Sequence, residues 1–128
     1  MDGVLLDTHA FLWWLDGDRK LSLRARKTIQ TSTEVFVSAA TAWEICTKAR
    51  LGKLPGAEAV AQDVLACVVD QSFLPLDITV RHAEAAGRLA GEHRDPFDRM
   101  LVVQALAEGL ALVSNDRALD TFGVRRLW

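Results

Sequence analysis

Residues Gly3 to Leu15 read GVLLDTHAFLWWL, an apolar run that stops at an acid, Asp7, and then turns apolar again. Val4, Leu5 and Leu6 follow one another without polar alternation, as in a parallel strand covered on both faces. The Thr8-His9 step opens a helix carrying Phe11, Leu12, Trp13, Trp14 and Leu15. Asp7 then sits at the C-terminal edge of the strand, which is where open α/β sheets bind ligands. Position alone leaves two readings of Asp7, a helix N-cap or a functional acid, since Asp is a favoured capping type and Thr8 is another.

Working outward, Asp16-Gly17-Asp18 is a turn, and Leu21-Ser22-Leu23 leads into a helix through Thr31 with a basic outer face. Glu34 to Val37 is a short strand, and Ser38 is placed to cap a helix from Ala39 to Leu51 that Gly52 closes. Val60, Val64, Leu65 and Val68 predict helix between Ala57 and Gln71, and Phe73 to Leu76 predicts a strand despite Pro75. Thr79 opens a helix through Ala90, with Ala83, Ala86 and Leu89 or Ala90 facing inward and Gly91 ending it. In Asp95-Pro96-Phe97-Asp98 an N-cap acid precedes a proline at the first helical position. MLVVQALAE follows, with Gly109 as C-cap, and its apolar residues predict a helix buried on most sides. Leu110 to Ser114 is a further apolar strand, followed by Asn115-Asp116, a short helix, and an edge strand within Val124 to Trp128. This alternation predicts an α/β fold, a mostly parallel sheet with helices on both sides.

The chain has 128 residues, half of them hydrophobic, which suits one domain over residues 1–128 with a core able to fix several polar groups. A formal net charge of -2 excludes global attraction to nucleic acid or anionic membrane. Charge is unevenly spread, however. Eight of the fifteen basic residues lie between Arg19 and Lys53, against two acids, Glu34 and Glu44. Cys46 and Cys67 lack zinc or redox-pair spacing and are read as buried free thiols, which points to a reducing compartment. No signal-like segment and no apolar run near the ~20 residues of a membrane helix occurs, so the expectation is a cytoplasmic protein without membrane attachment.

The acids carry the chemistry. Asp7 and Asp116 each end an apolar strand, and Asp98 lies in the first turn of a helix, which places all three at one edge of a parallel sheet. Glu44 lies six residues past Ser38, about 9 Å along its helix at ~1.5 Å per residue, and helical side chains lean back towards the N-terminus, so it reaches the same edge. Each acid also has a structural reading: Asp98 in a capping box with Asp95, Glu44 paired with Lys48 on a wet face, Asp116 in a turn with Asn115. Ala39, Ala40, Ala42, Trp43, Ile45 and Cys46 make a poor setting for a solvated Glu44. Carboxylates ~5 Å apart repel by about 3 kcal/mol per pair at an effective dielectric of ~20. A hard divalent cation offsets this, so an all-carboxylate Mg²⁺ or Mn²⁺ site is expected. The spacings of His9, His82 and His93 make no metal set; His9 is read as structural, with a hydrogen-bonding role beside Asp7 as the alternative.

LLDTH near the start, SAATAWEI in the first third, and DPFDRMLVVQA and LVSND towards the end resemble the PIN-domain ribonucleases, especially the VapC-type toxins of bacterial toxin-antitoxin pairs. The resemblance spans nearly the whole chain in motif order. It implies that Asp7, Glu44, Asp98 and Asp116 are the catalytic, metal-binding acids, supported by hydroxyls at Thr8 and at Ser114, where threonine is more usual. The apolar stretch after Asp98 selects it over Asp95, which is then mainly the helix cap. Arg99 is a phosphate or partner contact, or a structural ion pair. The resemblance further implies a three-layer α/β/α sandwich with about five parallel strands, Mg²⁺- or Mn²⁺-dependent hydrolysis of RNA, a cognate antitoxin inserted in the acidic groove, and a homodimer through helices between Ala39 and Gln71. An acidic pocket needs basic flanks to hold an RNA backbone, and Arg24, Arg26 and Lys48 are the candidates. The tryptophans are read as core. Among rival readings, a phosphoacceptor receiver domain needs a late lysine, but Lys53 is the last. A non-cleaving PIN-like binding module and a DNA nuclease stay open.

Overall fold

In the computed structural model, which describes residues 3–93 and 95–128, the five strands are β1 (Gly3–Leu6), β2 (Glu34–Ser38), β3 (Leu74–Leu76), β4 (Ala111–Val113) and β5 (Arg126–Leu127). They form one parallel sheet in the order β3-β2-β1-β4-β5. The helices are α1 (Thr8–Asp16), α2 (Leu23–Thr31), α3 (Ala39–Arg50), α4 (Glu58–Gln62), α5 (Val64–Asp70), α6 (Val80–Arg88) and α7 (Pro96–Glu108), with a 3-10 turn at Arg117–Phe122.

The unbroken apolar run of β1 is explained by its central position. Val4 and Leu6 face a core shared with Phe11, Val35, Val37 and Val113, whereas Leu5 faces the opposite core with Leu101, Val102 and Leu112. Leu6 is in register with Val37 on β2 and Val113 on β4, so the three strands end level. The chain runs outward from β1 to β3 on one side and resumes at β4 on the other. That reversal creates a crevice at the carboxyl ends of β1 and β4, directly beside Asp7, whose N–H donates to the Val113 carbonyl at 3.0 Å.

The parallel sheet and most elements match the sequence expectations, with four differences. The helix expected from Ala57 to Gln71 breaks at Asp63, which adopts an extended conformation and caps α5 by accepting from the Ala66 N–H. The inward residue of α6 is His82, while Ala83 is exposed. The Thr79 hydroxyl accepts from the His82 N–H, and His82 Nδ1 accepts from the Thr79 N–H, so the cap fixes which face turns in. Leu106 lies on the exposed side of α7. The cysteines are free but not both buried: Cys46 is exposed and Cys67 half-buried, because the apolar helices carrying them each turn only one face inward. Pro75 is tolerated because β3 is an edge strand. Among the described residues, no helix is long and apolar enough to cross a membrane.

Candidate active site

At the crevice, Asp7 turns out to satisfy both readings of it. One carboxylate oxygen accepts from the Ala10 N–H at 2.8 Å and so caps α1, yet the residue lines a cleft with Thr8, Glu44, Lys48, Asp98 and Asp116. Only 7% of Asp7 is exposed. Burial pushes its carboxyl up to about 6; the Ser114 hydroxyl, the Ala10 N–H and His9 pull it down, while Asp98 adds to the rise.

Glu44 is buried on α3, not on a wet face. Its carboxylate accepts from the Thr8 hydroxyl at 2.6 Å and from the Lys48 ammonium one turn away. Thr8 also lies 3.2 Å from the Thr41 hydroxyl, so a buried pair of threonines orients the acid. Burial lowers the Lys48 pKa, but the hydrogen bond and charge of Glu44, with Asp95 and Asp98, outweigh that and raise it. Lys48 therefore stays protonated and offsets part of the carboxylate repulsion.

Asp95 caps α7 by accepting from the N–H groups of Phe97 and Asp98, which leaves the Asp98 side chain available. That side chain meets His93 Nε2 at 2.9 Å. Burial raises the Asp98 carboxyl, the hydrogen bond to His93 lowers it, and the charges of Asp95 and Glu44 contribute to the net rise. Asp116 caps the 3-10 turn through the Ala118 N–H, and its other oxygen lies 3.9 Å from His93 Nε2. Ser114, fully buried, accepts from the Asp116 N–H at 3.1 Å and so fixes the last acid.

All four acids read from the sequence, with Thr8, Asp95 and Lys48, thus line one cleft. Other candidates lie outside the cleft or at its rim. The guanidinium of Arg99 pairs with no carboxylate among the described residues; it donates to the carbonyls of Leu89, Gly91 and His93 and clamps the loop before α7. The guanidinium of Arg26 donates to the Asp18 carbonyl, and neither Arg24 nor Arg26 lines the cleft. His9 is exposed at the cleft rim against Trp13, with ring centroids 5.4 Å apart. Trp13 and Trp14 pack on the core as expected, whereas Trp43 is 61% exposed, its ring edge-on to Phe97.

Sequence reasoning missed His93. Single ligand atoms from His93, Asp98 and Asp116 lie within 4.8 Å of one another. The one signal available was its place just before the DPFD cap, since the loop that turns it back is set by Arg99 from within the next helix. The donor set fits a divalent cation: carboxylate oxygens converge, and Asp7 bears a burial cost in its charged form that a cation would relieve.

A family model described as the PIN domain matches residues 4–124. The chain is 30% identical over 122 residues to ribonuclease VapC22 of Mycobacterium tuberculosis, covering 93% of this chain and 91% of that protein. Its fold is similar to VapBC2 from Rickettsia felis bound to a promoter DNA fragment, with a TM-score of 0.69 at 15% identity over 97% of this chain and 96% of that one. It is also similar to VapC20 of Mycobacterium tuberculosis, a sarcin-ricin loop cleaving toxin, with a TM-score of 0.65 at 18% identity over 94% and 95% of the two chains. With a family model matched over residues 4–124 and a relative 30% identical over nearly its whole length, the chain belongs to the PIN-domain family and is of the VapC type.

Proposed function

We propose that this protein is a metal-dependent endoribonuclease, the toxin of a toxin-antitoxin pair, hydrolysing RNA phosphodiester bonds with Mg²⁺ or Mn²⁺. The observation that carries the reading is the convergence of Asp7, Glu44, Asp98 and Asp116 in one cleft at the topological switch point. Asp7, Asp98 and Asp116 would hold the cation, and Glu44 would complete the acidic set. When bound, the ion polarises the scissile phosphate and lowers the pKa of a water, making a nucleophile at neutral pH. The chain's own groups do the rest. Thr8 and Lys48 hold Glu44 in one orientation, Ser114 holds Asp116, and the N-terminal turn of α7 favours an ionised Asp98. Lys48 brings positive charge to the rim, where an RNA backbone needs it. Arg24, exposed on α2, would touch phosphates farther out.

A cognate antitoxin is the proposed partner, supported by the likeness to a VapBC assembly. A homodimer through the helices between Ala39 and Gln71 is supported by exposed Leu51, Leu65 and Val69. Action in the cytoplasm is in keeping with the two free thiols. The test is incubation of purified protein with structured RNAs and Mg²⁺ or Mn²⁺, with Asp7→Asn as control. Cleavage by the native chain alone, abolished by chelator, is the expected result. Cleavage by neither protein would favour a non-cleaving RNA- or protein-binding module.

A further inference from the structure

We propose that His93 is a metal ligand, so that the Asp98–Asp116 corner of the site presents one imidazole nitrogen and two carboxylates and takes Mn²⁺ in preference to Mg²⁺. This rests on the metal-dependent reading above and concerns which ion the site selects. The first argument is spacing. Around an ion with ~2.1 Å bonds, octahedral neighbours sit about 3.0 Å apart and opposite ligands about 4.2 Å apart. His93 Nε2 lies 2.9 Å from an Asp98 oxygen, close to the spacing of adjacent ligands, and 3.9 Å from an Asp116 oxygen, between the two spacings.

His93 is also held in place from two sides. Arg99 donates to its carbonyl at 2.9 Å and to those of Gly91 and Leu89, fixing the loop from the side of α7. Phe122 stands edge-on to the His93 ring, with centroids 6.3 Å apart. Gly91 has φ +129, and a Cβ there would meet the Phe122 ring at 2.7 Å, so the loop closes on Phe122 only with glycine at this position. A ligand so fixed loses little freedom on binding an ion. Mg²⁺ requires near-ideal octahedral oxygen coordination and dehydrates reluctantly, whereas imidazole is a good donor to first-row transition ions.

The experiment is titration of the native chain, His93→Ala and His9→Ala with Mn²⁺ and with Mg²⁺ by calorimetry, together with pulsed electron spin resonance of bound Mn²⁺. The native chain should bind Mn²⁺ more tightly than Mg²⁺, and its Mn²⁺ should show nitrogen-14 modulation. His93→Ala should lose that modulation and at least the ~10-fold in Mn²⁺ affinity that removing even an outer partner of a metal ligand costs, with a smaller change for Mg²⁺. His9→Ala should keep the modulation. Native Mn²⁺ binding without nitrogen modulation, or with modulation unchanged in His93→Ala, overturns the proposal while leaving a carboxylate metal site in place. No binding of either ion to the native chain overturns both. If His93→Ala does not fold, a native spectrum without nitrogen modulation, or modulation lost in His9→Ala, still overturns the proposal.

Discussion

Helix α7 carries a histidine–carboxylate pair at each end, nearly equal in length and opposite in character. At its C-terminal end His82 meets Glu108 at 3.0 Å, and at its N-terminal end His93 meets Asp98 at 2.9 Å. The first pair is closed. Thr79 N–H donates to His82 Nδ1, which leaves the proton on Nε2 facing Glu108, and Gln104 lies 3.3 Å from the same Nδ1. Gln104 in turn accepts from Ser38, the cap of α3, and donates to the Asp77 carbonyl, so three elements are tied by one satisfied network. The second pair is open. A second carboxylate stands 3.9 Å from His93, buried Asp7 lies in the adjoining cleft, and the described residues lining that cleft carry five carboxylates against the one ammonium of Lys48. Pair geometry alone is therefore no sign of function; surplus like charge held beside open space is.

The contrast can be broken in four ways. The largest effect is expected from Asp98→Asn: Asp95 still caps α7, so folding is kept, while RNA cleavage falls on the order of a thousandfold, the several kcal/mol a metal centre supplies. Glu108→Gln should leave cleavage unchanged, and comparable losses in both would erase the distinction. Next, Gln104→Leu strands the Ser38 hydroxyl and the Asp77 carbonyl and should cost about 2–4 kcal/mol in urea unfolding, with Mn²⁺ affinity retained.

The third variant, Asp7→Asn, should stabilise the chelator-treated protein by about 2–3 kcal/mol at pH 7. The native carboxyl is raised from 3.8 to about 6, so the folded state holds the proton more tightly than the unfolded one. Its ionisation is then a cost that appears as pH rises through that window. The gain from Asn should be full above pH 6 and vanish near pH 4, and thermal melts across that range would show a flat difference if Asp7 were not desolvated. The smallest effect is expected from Arg24→Glu. At low salt it should weaken RNA binding a few-fold through lost phosphate contact without changing metal affinity, and unchanged binding would remove α2 from the RNA path.

How much of this was legible in the sequence follows from which residues act locally. GVLLD and DPFD each state an element and its boundary within a few residues, so β1, α7 and their acids were readable, and Glu44 followed from helical reach. His93 was not, because its position depends on a clamp from Arg99 and a stop against Phe122, contacts across loops with no periodic signature. Thr41 carries no signal of its own among the small residues of α3, and only the fold brings its hydroxyl 3.2 Å from that of Thr8. The break at Asp63 shows the converse: apolar spacing continued across it, and a single capping side chain divided the helix. Among the basic residues, count located the positive third of the chain but not its direction, which is why Lys48 reaches the cleft and Arg26 is bound to a backbone carbonyl.

If the acids at the β1–β4 crevice are a metal site, an ion should be seen there. Crystals of the native chain soaked in Mn²⁺ and measured for anomalous scattering test it most directly. A peak is expected in the cleft with carboxylate oxygens of Asp98 and Asp116 at ~2.1 Å, absent in Asp98→Asn. An empty cleft at Mn²⁺ concentrations that support RNA cleavage, or a peak seated away from these acids, would contradict it.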